Sequence, residues 1–135
     1  MAKYVIRYGA MRSLGVHTVR GSENLQRGAT VISRTERGLE AGEVLAVATE
    51  ESIERLSNAG HGQILRRMTS EDHNEWMHIQ AQTRTEFETC QRFVAQLKMA
   101  MQLVDLERLF GGDRMVIYYV SEERVVVREL GRKIA

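Results

Sequence analysis

The hydrophobic pattern begins with period two. Residues 3–8 place Tyr4, Ile6 and Tyr8 on one side of an extended run and Val5 and Arg7 on the other. Residues 14–20 follow suit, with Val16, Thr18 and Arg20 alternating with His17 and Val19, and can pair with the first run. Residues 21–24 form a turn, and residues 29–35 and 39–48 read as two more strands around Glu36-Arg37-Gly38. Gly42 interrupts the last of them, and an isolated strand glycine signals a bulge or a close backbone approach. Short strands with glycine turns predict a small β-barrel or a strongly bent antiparallel sheet, and closure would remove exposed edges.

The period then lengthens. Residues 50–58 carry a weak helical pattern through Ile53 and Leu56, residues 59–62 are a loop, and residues 63–68 return to a strand. Thr69 or Ser70 can cap the next helix, with Glu71 and Asp72 in its first turn, where the positive end of the dipole favours carboxylates. Trp76, Ile79, Thr83, Phe87, Cys90, Val94, Leu97 and Met101 recur at steps of three and four, so the helix should run to about Met99 and lay this stripe on a sheet. Glu75, Gln82, Arg84, Glu88 and Gln96 fall on the wet face. Residues 101–110 and 114–120 make a hairpin around Gly111-Gly112, and residues 125–127 offer either a third strand or the approach to a short helix near Arg128.

At 135 residues the chain is one domain or two small units sharing a core. There is no run apolar and long enough to span a bilayer and no signal-peptide core at the start, which points to the cytoplasm. The single Cys90 excludes an internal disulfide and any site built from several cysteines in this chain. The net charge of +1 does not announce nucleic acid, but residues 1–69 carry ten basic and seven acidic side chains against nine and eleven in residues 70–135. Arginine outnumbers lysine sixteen to three, a bias that suits phosphate or carboxylate forks if the arginines cluster and that base composition explains otherwise.

Two spaced patterns carry a family resemblance. One is Thr35, Arg37, Gly38, Glu40 and Gly42; the other is Leu97 and Met99 followed by Leu103-Val104-Asp105 and Glu107. With the surrounding stretches they cover most of residues 28–135, and the chain resembles the bacterial YaaT/RicT-like proteins, whose shared region was first described as the conserved C-terminal part of a yeast polymerase suppressor, a PSP-type domain. The resemblance implies a non-catalytic adaptor in RNA metabolism, working with other protein subunits such as a ribonuclease complex in messenger RNA processing and able to bind RNA. The alternative it leaves open is a protein–protein interaction module of a signalling or phosphorelay complex without nucleic-acid contact. Relatives hold iron–sulfur ligands in a cysteine-rich region that this sequence, ending at Ala135, does not contain, so no cofactor is expected.

The family order also implies a fold. Residues 1–60 would be a β-rich subdomain and residues 61–135 a ferredoxin-like βαββα unit lacking its last strand, so the whole is α+β. An unfilled sheet edge invites a second copy, giving a homodimer, or a partner's strand.

Candidate chemistry is sparse. His73 and His78 are five apart and lie on different helix faces, so they cannot jointly hold a metal, and no metal site is expected. Cys90 in the apolar stripe reads as a small hydrophobe. Asp105 and Glu107 share a strand face, as acid–base or metal chemistry would need; a cross-strand ion pair with Arg114 or Arg124 is the favoured reading. The glycines form no phosphate-cradling loop. Arg34, Arg37, Arg66 and Arg67 are the nucleic-acid-binding candidates, with Tyr4, Tyr8 or Tyr118 as stacking surfaces, against the simpler reading of four solvated arginines.

Overall fold

The computed structural model describes residues 2–21, 23–57, 59–112 and 114–121. The expectations for residues 125–127 and for a helix near Arg128 lie outside these residues. Chain order is β1 (Ala2–Tyr8), β2 (Ser13–Val19), β3 (Thr30–Thr35), β4 (Gly38–Val47), α1 (Glu50–Arg55), β5 (His61–Arg67), α2 (Ser70–Gln96), β6 (Gln102–Arg108) and β7 (Met115–Val120). The architecture is α+β: a closed five-stranded barrel in the order β1-β2-β5-β3-β4, one long helix, and a separate hairpin of β6 and β7.

Antiparallel pairing of β1 with β2 and of β3 with β4 follows from the short turns between them, and antiparallel pairing of β1 with β4 closes the barrel. The fifth strand differs. After the crossover through α1, β5 fills the gap between β2 and β3, parallel to the former and antiparallel to the latter. The ferredoxin-like unit expected of residues 61–135 is therefore not formed by the described residues, because its first strand pairs inside the barrel rather than beside β6 and β7. Pairing likewise joins β5 to the strands of residues 1–60, across the expected boundary.

Strand alternation sends Tyr4, Ile6, Val19, Val31, Val44 and Ile64 inward, where they pack with Leu25 into an apolar core. Gly42 sits on the same inner face. A Cβ there would lie 2.6 Å from Ile6 Cγ2, so this glycine answers to a close approach.

Two helix ends have identifiable causes. Thr69 accepts a hydrogen bond from the Asp72 amide while the Asp72 side chain accepts from the Thr69 amide, a capping box that starts α2. At the other end Lys98 takes φ 51°, and the Lys98 and Met99 amides donate to the carbonyls of Ala95 and Val94. This paired closure ends the helix before Met99 although no glycine marks it.

The helix stripe packs on the hairpin: Cys90 and Leu103 are buried together, with Phe87, Phe93, Val94 and Ile117 around them. Gly112 turns the hairpin with φ 76°. The register of β6 against β7 shifts between Leu103 and Asp105, so a bulge at Val104 puts Leu103 out of phase with Asp105 and Glu107, which simple alternation had placed on one side. At its N-terminus α2 is pinned to the barrel by Arg66 on Asp72 and by His73 Nε2 against Thr30 Oγ1 at 3.2 Å. Ile32, on the outer face of β3, is fully buried.

Candidate functional site

The inward positions at one end of the barrel are polar. His17 is 0% exposed, its Nδ1 lies 3.0 Å from Ser33 Oγ, and its ring packs on Tyr8 with centroids 5.1 Å apart. Only glycine at 62 leaves room for the ring, since a Cβ there would fall 2.7 Å from His17 Nε2. Among the described residues that nitrogen has no hydrogen-bond partner, and burial, with His61 adding to it, lowers the imidazole from 6.5 to about 4.

Glu40, 2% exposed, closes this end. Thr35 Oγ1 donates to it, and the turn between β3 and β4 brings Arg37 over it, with Nη2 at 2.5 Å and Nε at 3.3 Å from the carboxylate. The same guanidinium reaches the hairpin. Its Nη1 donates to Glu107 Oε1 at 3.1 Å and to the Tyr118 hydroxyl at 3.1 Å, and Nη2 lies 3.4 Å from Glu107 Oε2. Glu107, 7% exposed, also accepts from Tyr118 Oη at 2.7 Å and from the Ala10 amide at 2.7 Å.

One cation thus bridges two buried carboxylates from the two halves of the molecule, and oriented donors meet their remaining lone pairs. The Glu40 hydrogen bond, above all, holds the Arg37 proton more tightly than usual. Burial and then the Glu107 hydrogen bond raise the Tyr118 phenol, while burial and Glu40 raise Tyr8. Two further bonds reinforce the joint: Phe110 N–H donates to Leu39 O at 2.9 Å, and Arg114 Nη1 donates to Arg37 O at 2.9 Å.

Beside the joint runs a groove of about 740 Å³. Its barrel wall is formed by Arg7, Glu43 and Ala41 with the Gly9–Arg12 turn, its helix wall by His73, Trp76, Gln80, Thr83, Arg84 and Phe87, and the residues of 105–110 complete it. Trp76 packs against Phe110 with ring centroids 6.2 Å apart.

Of the four arginine candidates, the structure brings three to neighbouring strands. Arg34 on β3 and Arg66 and Arg67 on β5 are exposed, with Arg34 opposite Gln63 and Arg67 opposite Val31. Arg66 makes two 3.0 Å bonds to Asp72 yet keeps half of its side chain exposed. Arg37 is committed to the joint. Tyr4 is in the barrel core with its hydroxyl accepting from the Leu25 amide, so it offers no stacking face. The favoured ion pair of the Asp105 and Glu107 strand face with Arg114 is corrected: Glu107 pairs with Arg37, seventy residues away in sequence, and Arg114 bonds a carbonyl. Arg124 lies outside the described residues.

The sequence assigns His17 and Ser33 no role and places Glu40 only in the Thr35–Gly42 pattern; their signal is the occurrence of polar residues at inward-facing positions of alternating strands. Cys90 is buried and its thiol pushed up by burial, and among the described residues no group of three His, Cys, Asp or Glu side chains could hold a metal. These residues do not fit an iron–sulfur cluster. No helix among the described residues is long and apolar enough to cross a membrane.

Fold and site together define an α+β protein whose barrel is clamped by a buried ion-pair joint to a helix and hairpin. The family model described as the PSP1 C-terminal conserved region matches residues 62–135, more than half of the sequence, and the chain belongs to that family. The matched stretch starts within β5 and excludes the turn carrying Arg37, yet Arg37 bonds to Glu107 inside it. No curated protein and no solved structure matches the chain.

Proposed function

We propose that the protein is a non-catalytic, cytoplasmic adaptor in RNA metabolism that touches the RNA backbone through the exposed surface of β3 and β5. The observation carrying this reading is that Arg34, Arg66 and Arg67 are exposed on hydrogen-bonded neighbouring strands, Arg34 and Arg66 on the outer face that Ile32 marks and Arg67, opposite the inward Val31, at the strand end beside them. Guanidinium forks suit phosphate, and arginines on adjacent strands can follow successive phosphates. The family resemblance supports the same reading by analogy. The candidate carboxylate Glu107 is engaged in holding the two halves together, which agrees with a scaffold rather than a catalyst.

Arg34 and Arg67 are the informative pair, because neither holds the fold together. Replacing both by Gln should weaken binding to single-stranded RNA and reduce its salt dependence by roughly 0.7 logarithmic units for each phosphate no longer neutralised. Unchanged affinity and slope would reject the surface.

A second reading, a protein–protein interaction module of a signalling complex, is favoured by the hairpin. Val104, Tyr119 and Val120 are exposed there, and the barrel is closed, so the strand edges among the described residues are those of β6 and β7. A partner subunit or a second copy would add its strand at such an edge. Sedimentation showing a monomer at high micromolar concentration would count against self-association.

A further inference from the structure

The groove between barrel and helix has its own unmet chemistry. Most charged side chains along it are paired: Arg7 with Glu43 at 2.7 Å, Arg108 with Glu86 at 2.5 Å, and Glu40 and Glu107 with Arg37. Three are not. Among the described residues Arg12, Arg84 and Asp105 have no ion-pair partner, and all three line this groove. Arg12 reaches it from the β1–β2 turn with φ 52°, a left-handed conformation uncommon for a residue with a Cβ. Arg84 comes from α2. Asp105 Oδ1 accepts only the amide of Leu106 at 2.8 Å, so Oδ2 is free to accept. The aromatic faces are Trp76, Phe87 and Phe110.

This is a particular combination: two free guanidinium groups, one free carboxylate acceptor and apolar ring faces in a volume typical of small-ligand sites, roughly 300 to 1,000 Å³. A simple anion would leave the rings and Asp105 unused. A purely apolar ligand would leave three charges unanswered. A phosphorylated nucleoside answers all of them, with a ring to stack, a phosphate for an arginine fork and base N–H groups for a carboxylate. Guanine offers two adjacent donors, one for Asp105 Oδ2 and one for the lone pair that Oδ1 keeps beside its bond from the Leu106 amide.

We propose that the groove binds a guanosine monophosphate unit, its phosphate between Arg12 and Arg84, its base against Trp76 and its donor edge on Asp105. The unit could be a free nucleotide or the 5′-phosphorylated end of an RNA, and the chemistry recognised is the same. The proposal does not rest on the β3–β5 surface, since Arg34 and Arg67 do not line the groove.

Trp76 is the chain's single tryptophan, so its fluorescence reports on the groove alone. The full chain is titrated with guanosine 5′-monophosphate, with uridine 5′-monophosphate, and with a short oligonucleotide beginning in guanosine, carrying either a 5′-phosphate or a 5′-hydroxyl. Saturable change is expected with guanosine 5′-monophosphate, with the 5′-phosphorylated oligonucleotide, or with both, and which of them binds identifies the source. The double variant Arg12→Ala/Arg84→Ala should weaken binding about tenfold or more, and Asp105→Asn should remove the preference over uridine. The exposed Arg12 and Arg84 can be replaced without unfolding, which an unchanged melting temperature verifies. Absence of saturation with every probe at millimolar concentration, or affinity unchanged in the arginine double variant, overturns the proposal. Arg34→Gln/Arg67→Gln should leave this titration unaltered, which separates its outcome from that of the RNA-backbone surface.

Discussion

The two ends of the barrel interior are built of opposite materials. One end is aliphatic and aromatic, from Tyr4, Val19, Leu25, Val31, Val44 and Ile64. The other holds His17, Ser33 and Glu40, with Arg37 and Glu107 closing it. Burying apolar area drives folding wherever it occurs, whereas buried ions cost desolvation and are offset only by good partners. The apolar end therefore makes a barrel, and the polar end makes a joint whose geometry is specified by direction as well as by fit. The difference assigns to the polar end the task of fixing how helix and hairpin sit on the barrel, and hence the shape of the groove.

The comparison is most sharply broken at Arg37. Replacing it by Met leaves two buried carboxylates without their cation, and urea unfolding should show a loss of about 3–5 kcal/mol. At the apolar end Ile64→Ala should cost roughly 2–5 kcal/mol through reduced burial and cavity formation, and this cost should be independent of pH. Equal pH dependence of the two variants would erase the distinction between the ends.

His17 tests the polar end without touching the joint. Its folded value, about 4, lies below the unfolded 6.5, so on acidification the unfolded chain takes up the proton first. Its contribution is fully present above pH 6.5 and declines as the pH falls to about 4, by about 3 kcal/mol in total. Melting curves across this window should lose that component in His17→Phe if the larger ring is accommodated, or in His17→Gln otherwise; a wild-type and variant difference constant with pH would contradict it.

Smaller effects belong to the periphery. Thr69→Ala removes the cap of α2 and should cost about 1 kcal/mol in thermal unfolding. Glu51→Ala, which breaks an exposed pair with Arg55, should change stability by less than about 0.5 kcal/mol.

Much of the barrel was legible in the pattern. The alternation in β1 put Tyr4, Ile6 and Tyr8 on one face, residues 29–35 and 39–48 read as strands, and Gly42 announced the close approach that Ile6 makes. The stripe through Ile79 and Cys90 gave α2 its buried side, and Thr69 its start. Neighbours were not legible. A run such as residues 63–68 reads as extended in any sheet, and nothing local says that it inserts beside β2. The end of α2 eluded composition because Lys98 takes a position usually held by glycine. For the site, Glu107 was visible as a strand carboxylate, but its partner lies seventy residues upstream, and only the closed barrel brings the Arg37 turn to it. Of the predicted arginine cluster, Arg34, Arg66 and Arg67 lie exposed on neighbouring strands while Arg37 is drawn to the joint, since two buried carboxylates bind it more strongly than solvent does.

The ionic joint is tested most directly by a double-mutant cycle of Arg37→Met and Glu107→Gln, read by urea unfolding. The account predicts strong coupling, at least about 1.5 kcal/mol, with Glu107→Gln costing far less once Arg37 is gone. Additive losses would show that Arg37 and Glu107 stabilise the molecule independently, and that barrel and hairpin are held together by something other than this pair.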